Sequence, residues 1–386
     1  MKFLRKLNHW LEIKFCAPAY GSWVLAIIAL CFFGAATNTL AGWLYVISGV
    51  IFALLAVGAI LPRQSLRQLQ VYRHPISPVS AGENLAIELA IKNTTSQPKH
   101  LIAIEDILPS TLGKTQTKAV EIIPPGKTHR CVYYQPTTKR GIYRWQEVQL
   151  KTASPLGLFW CRRSWEAKAK AIVYPQVLPL QQCPLVDSLG LEYNANQTTE
   201  KYFQAATAGI TKSIRPYRTG DPTRLIHWRS SARYGELRVR ELEALSASGH
   251  EMIICLDSSA NWHGDNFETA VIAAASLYFY GWQRQLDVKI WTGNSGIVKD
   301  KQEILTVLAM VSPQEELNSP PPSGNSLLWL TGDVGKLTNL PFGSRWLLFT
   351  AHERATDTTL KVSQESPGLV INPEQSLSTQ LENSPG

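Results

Sequence analysis

Between Phe15 and Pro62 the chain has no Asp, Glu, Lys, Arg or His, a charge-free run of 48 residues. That absence excludes a core helix of a soluble domain. One helix of that length would extend about 72 Å against a hydrocarbon layer of about 30 Å. The run is therefore expected to fold as two spans, about Ala19 to Ala36 and Leu40 to Leu61, with Thr37, Asn38 and Thr39 as the turn and Pro62 as the stop. A cleaved signal peptide is excluded by the length of the run and by the second span that follows at once. Without an ionisable side chain, neither span offers a proton or ion path. The six cysteines form no Cys-x-x-Cys pair and no zinc or disulfide spacing, which leaves reduced thiols as the expectation.

What is present is basic. The formal net charge is +8 and the pI about 9.1, suited to a nucleic acid or to an anionic membrane face. Lys2, Arg5, Lys6 and Lys14 precede the first span, Arg63, Arg67 and Arg73 follow the second, and the turn is uncharged. By the positive-inside rule both ends face the cytoplasm of a bacterial plasma membrane, with Trp23, Trp43 and Tyr45 as interfacial anchors in the lipid bilayer.

Five segments are expected. Residues 1–74 form the hairpin with its basic flanks, 75–175 a β-sandwich of immunoglobulin-like class, 176–200 a linker, 201–372 an α/β domain, and 373–386 a disordered polar tail. The sandwich rests on short two-residue-period runs at 85–91, 101–107, 119–123, 130–134, 142–150 and 169–174, with turns at Pro124-Pro125-Gly126 and Lys139-Arg140-Gly141. Ser154-Pro155-Leu156-Gly157-Leu158-Phe159 reads as a turn whose aromatic plugs the sandwich, with a docking element as the other reading. From 251 onward apolar strands alternate with helical stretches, 267–284 the longest.

Residues 214–233 carry the densest local information. Gly220 permits a turn, Asp221 would cap a helix and Pro222 suits its first position. Leu225, Trp228 and Ala232 would form the packing stripe, and Gly235 the stop. Between Lys212 and Arg240 there are eight Lys or Arg against Asp221 and Glu236. Arg224 and Arg233 are expected to tie the helix to Asp221, Glu241 or strand-end carbonyls, leaving Arg218, Arg229 and Arg238 for a partner.

The string from Arg215 to Glu243, including Tyr217, Gly220, Asp221, Arg224, Trp228, Ser231, Ala232, Arg233 and Glu241, resembles the hallmark of the domain of unknown function 58 family. It departs at Pro216 and His227, where that family usually has acidic residues. The wider layout is similar too: a membrane hairpin, a β-rich segment with Arg140 to Tyr143 and Pro-Leu-Gly-Leu-Phe, then the motif and a von Willebrand factor A-like α/β domain. The resemblance implies a membrane-tethered adaptor working with a MoxR-type AAA+ ATPase in a chaperone-like or assembly role, and no agreed catalytic activity. It also implies a place to look for Mg²⁺, which such α/β domains hold on an Asp-x-Ser-x-Ser loop. Asp257, Ser259 and Asn261 occupy that loop after the strand 252–256, with Asp333 as the distal carboxylate. The opposing reading has Asp257 and Ser259 bonding the backbone of a turn.

Two alternatives stand beside the adaptor. A serine hydrolase would use Ser258, Ser259, His263 and Asp265 within the Asp257 to Asp265 loop, although the Gly-x-Ser-x-Gly elbow is missing. Nucleic-acid binding through 212–240 is disfavoured by the membrane tether. No residue is assigned a catalytic role.

Overall fold

The computed structural model describes residues 16–189, 211–218, 221, 223, 226–242, 251–322, 327–341, 343–349 and 367–383. The chain separates into two compact units, Met1–Tyr174 and Pro175–Gly386.

The first unit begins with a short strand, β1 (Ala17–Pro18), and two helices, α1 (Tyr20–Thr39) and α2 (Gly42–Ser65). Both helices are long and apolar enough to cross a membrane. Small side chains line much of their contact face, with Ala29 and Ala36 on α1 and Ser48 on α2 all buried, and Phe33 meets Tyr45 edge-on across the pair at 5.7 Å. The turn lies later than Thr37-Asn38-Thr39. Thr37 and Thr39 donate their hydroxyls back to the Gly34 and Ala35 carbonyls and stay helical, and Leu40 takes the left-handed conformation instead. Pro62 does not end α2 either. It sits inside the helix, which continues to Ser65.

Nine strands complete this unit: β2 (Leu69–Arg73), β3 (Val79–Ser80), β4 (Asn84–Asn93), β5 (Lys99–Asp106), β6 (Gln116–Ile123), β7 (Thr128–Pro136), β8 (Gly141–Thr152) and β9 (Phe159–Tyr174), together with β1. One sheet runs β1-β9-β8-β5-β6 with β3 on β9, the other β2-β4-β7, and all pairings except β3 with β9 are antiparallel. Alternate residues of both sheets (Leu85, Ile87, Leu89 and Ile91; Ile102, Ile104, Val148 and Leu150) share one apolar core. The hairpin is part of this unit and not a separate piece. Leu158 accepts a hydrogen bond from the Ala19 amide at 2.8 Å and another from the Ser22 hydroxyl, and its side chain lies against Gly58. The Ser154 to Phe159 turn thus docks on the base of the helices instead of plugging the sheets.

The second unit is an α/β layer. Its sheet is ordered β14-β13-β12-β15-β16-β17, with β12 (Glu251–Leu256), β13 (Asp287–Thr292), β15 (Leu327–Thr331), β16 (Arg345–Phe349) and β17 (Gly368–Ile371) parallel and β14 (Gly296–Val298) antiparallel at the edge. Ile254, Leu256, Leu328, Leu330 and Leu347 share a core on one side with the alanine-rich helix α4 (Asn266–Gln283) and with Ile304 and Leu308 of α5 (Lys301–Met310). Ile253, Cys255, Trp291, Trp329, Trp346 and Leu348 fill the other. Any side chain at position 368 would collide with the Trp346 ring, so that crossing needs glycine.

Two expected boundaries change here. Among the described residues of the expected linker, Leu180, Cys183, Leu185, Val186 and Leu189 are buried in this core, and 184–189 is helical. The expected disordered tail contains helix α6 (Leu377–Glu382), capped by Ser376 and anchored by Leu381, which is fully buried.

Candidate functional site

Two features of the second unit carry chemistry. The motif forms a β-hairpin with a helix folded into it. Strand β10 (Thr211–Pro216) pairs antiparallel with β11 (Arg238–Leu242), and helix α3 (Trp228–Tyr234) lies between them in sequence. The α-helix starts at Trp228, while Thr223, just after Asp221, lies in a 3₁₀ turn and accepts from the Ile226 amide at 3.2 Å. Ile226 is still bridged to Val239, and the His227 amide donates to the Arg238 carbonyl at 2.8 Å, so both residues are held in extended pairing. His227 then caps the helix, its Nδ1 accepting from the Ser230 amide at 3.1 Å. Its ring nitrogen supplies the acceptor that an unpaired amide of the first turn needs. Gly235, at a φ of 73°, ends the helix.

Ser231 is the buried clamp. Its hydroxyl donates to the His227 carbonyl at 3.1 Å and accepts from the Arg238 amide at 2.9 Å, joining helix to strand. Asp221 is bonded by both arms of Arg215, at 2.7 and 2.8 Å, and accepts from the Arg218 amide at 2.8 Å. Those bonds, Arg215 first, hold its carboxyl down to about 2. Among the described residues the side-chain partner of Asp221 is therefore Arg215, not Arg233. Arg233 is exposed, while Gly220, Pro222, Arg224, Leu225 and the Glu241 side chain lie outside the described residues.

The expected packing stripe is a further correction. Trp228 is 67% exposed and Ala232 is exposed, because Ile226 and Val239 fill the interior that the stripe was meant to fill. Tyr217 is half-buried, and its amide donates to the Leu237 carbonyl. Of the three arginines expected to meet a partner, Arg218 and Arg229 are exposed. Arg238 is held by Glu236 at 2.7 Å and stacks 4.0 Å above the Tyr234 ring. Together Trp228, Tyr234, Arg218, Arg229 and Arg233 give α3 and its surroundings an exposed aromatic and cationic surface.

The second feature is the end of β12. Asp257 is 1% exposed. Its Oδ1 accepts from the Ser259 hydroxyl and from Lys336 Nζ, both at 2.9 Å, and its Oδ2 accepts from Thr331 at 3.0 Å. Lys336 also donates to Ser259 Oγ at 3.0 Å. Asp333 reaches this cluster through its amide, which donates to the Thr331 hydroxyl at 3.1 Å. Its carboxylate caps the short 3₁₀ turn Val334–Asn339 through the Gly335 amide at 2.9 Å, and Asn261 is exposed. Sequence reading found Asp257 and Ser259 but missed Thr331 and Lys336, which enter from later in the chain. The hydroxyls of the hydrolase alternative are spent elsewhere. Ser258 Oγ accepts from the Gly293 amide at 3.1 Å, Ser259 is bonded to Asp257 and Lys336, and His263 and Asp265 are exposed.

With this geometry established, comparison with known proteins adds one finding. Residues 213–288 match the model of the family described as protein of unknown function DUF58. That span begins in β10 and runs through the motif, β12, the Asp257 loop and α4 into β13, so it holds the motif together with Asp257 and Ser259, while Thr331 and Lys336 lie beyond it. The chain is also 22% identical over 239 residues to the uncharacterized protein YeaD of Bacillus subtilis strain 168, covering 58% of this chain and 54% of that protein. It thus spans about half the length of the curated relative it matches. Among solved structures, the CARDB domain of PF1109 from Pyrococcus furiosus is 14% identical, with a TM-score of 0.20 over 28% of this chain and 94% of that one. The bacterial hydrophobin BslA is also 14% identical, with a TM-score of 0.18 over 29% and 97%. Likenesses at such scores carry no weight for fold or function.

Proposed function

We propose that this protein is a membrane-tethered adaptor. Its hairpin spans a bacterial plasma membrane with both units on the cytoplasmic side, and its α/β unit, of von Willebrand factor A-like type, engages a MoxR-type AAA+ ATPase. The two-sheet unit, of immunoglobulin-like type, holds that platform at the membrane.

The observation that carries the reading is Trp228, 67% exposed on a helix whose neighbours Arg229, Arg233 and Tyr234 are also exposed. Tryptophan, tyrosine and arginine dominate the binding energy of protein interfaces, because each buries a large surface and still offers a donor. A solvated tryptophan beside arginines has no packing role in its own unit. Recognition by a partner gives it one. The basic flanks of the two apolar helices support the cytoplasmic orientation.

Capture from a detergent extract tests this, with the tagged full-length chain as bait beside Trp228→Ala and Arg229→Glu. The wild type is expected to retain an AAA+ ATPase that both variants lose. If the wild-type bait retains no such ATPase above an untagged control, the adaptor reading fails.

A further inference from the structure

The family resemblance points to Mg²⁺ at the end of β12, and the donor set there does not fit it. A divalent ion shared by Asp257 and Ser259 would have to sit between Asp257 Oδ1 and Ser259 Oγ, at about 2.0–2.1 Å from each. Lys336 Nζ already bridges those two atoms, at 2.9 and 3.0 Å. Two cations cannot share so small a space beside one carboxylate, since their repulsion grows as the local dielectric falls.

The charge count agrees. Asp257 brings one negative charge and Lys336 one positive charge, while Ser259 and Thr331 are neutral. Asp333, the carboxylate a divalent ion would need as its second anionic ligand, spends its Oδ1 on the Gly335 amide. That bond also starts the turn that carries Lys336, so the residue expected to bind the metal instead positions what takes the metal's place. The Thr331 hydroxyl serves both parts, donating to Asp257 Oδ2 and accepting from the Asp333 amide at 3.1 Å.

We infer that Lys336 is the resident cation of this site, a tethered ammonium in place of a divalent metal. The lysine side chain is 37% exposed while the carboxylate beneath it is sealed. This face therefore presents a fixed positive group to solvent, whatever the concentration of divalent cations. The inference concerns the charge state of the site and stands apart from the identity of the partner.

The test uses the full-length chain in detergent micelles. Free Mn²⁺ is followed by its electron paramagnetic resonance signal, which disappears when the ion is bound. The wild type is expected to leave the signal undiminished at millimolar Mn²⁺, and its melting temperature is expected to be the same in Mg²⁺ as in chelator. Lys336→Met should melt several degrees lower, because it strands a buried carboxylate. Asp257→Asn combined with Lys336→Met should recover most of that loss, because the stranded charge is gone. Depletion of about one Mn²⁺ per wild-type chain, abolished by Asp257→Asn, would overturn the inference. So would a Lys336→Met protein that melts with the wild type. If Lys336→Met does not fold, recovery in the double variant supports the pairing, and a double variant that also fails to fold overturns it. A failed ATPase capture would sink the adaptor reading and leave the metal titration unaffected.

Discussion

Asp106 in the two-sheet unit and Asp257 in the α/β unit are both 1% exposed, and both meet a cation, yet they are built for different ends. Arg73 grips Asp106 with both arms at 2.5 and 2.9 Å, while Tyr133 and Trp145 donate to the same carboxylate at 2.5 and 3.0 Å. The arginine itself is 2% exposed, so the pair is closed on every side. Lys336, by contrast, keeps more than a third of its side chain in solvent. The burial of a carboxylate alone does not separate structure from function. The access left to its cation does. A third pair, Arg215 with Asp221, has side chains 35% and 16% exposed, so there the carboxylate is open as well as the cation.

The comparison can be broken at each step. Asp106→Ala should have the largest effect, about 3–5 kcal/mol, because it leaves an arginine charge uncompensated inside the sheets. Urea unfolding of the detergent-solubilised protein measures it, and a loss below about 1 kcal/mol would show that the closed pair does not hold the unit together. Lys336→Met should cost less, about 1–3 kcal/mol, since water can reach the position the ammonium leaves. The Arg215–Asp221 pair is read best by titration. Its folded carboxyl lies below the unfolded value, so its contribution is complete above about pH 4 and is lost as the pH falls through about 2. Carboxyl-labelled NMR should find Asp221 still ionised at pH 3, and Arg215→Ala should return it towards the ordinary aspartate range. Trp228→Ala should change stability least, within about 0.5 kcal/mol, as exposed positions do. It should nevertheless abolish ATPase capture. A large loss of stability there would turn the exposed surface into a packing surface.

The periodic elements were legible in the sequence. The strands at 85–91 and 142–150, the helix at 267–284 and the parallel strands around 252–256 and 327–330 follow from spacing that the backbone enforces locally. The ion pairs were not. Arg73 meets Asp106 from 33 residues away, and Lys336 meets Asp257 from 79 residues away. No local pattern distinguishes either from a surface charge, and Arg73 was read as part of a basic flank. After Asp221 the chain takes a 3₁₀ turn at Thr223, and the α-helix begins only at Trp228. The competing pull came from β11, which holds Ile226 and His227 in its own register. Helix α6 was missed for its shortness, although Leu377 and Leu381 stand four residues apart and both reach the core.

The bond between Leu158 and the base of the helices also has a consequence in time. At about 5–20 residues per second, the stretch between Ser65 and Leu158 needs on the order of five to twenty seconds to leave the ribosome. Throughout that interval the hairpin proposed to enter the bilayer lacks the carbonyl that later receives Ala19 and Ser22. If the hairpin enters the bilayer as proposed, it does so in two stages, first on its apolar surface alone and fastened only once the loop between β8 and β9 exists to carry Leu158.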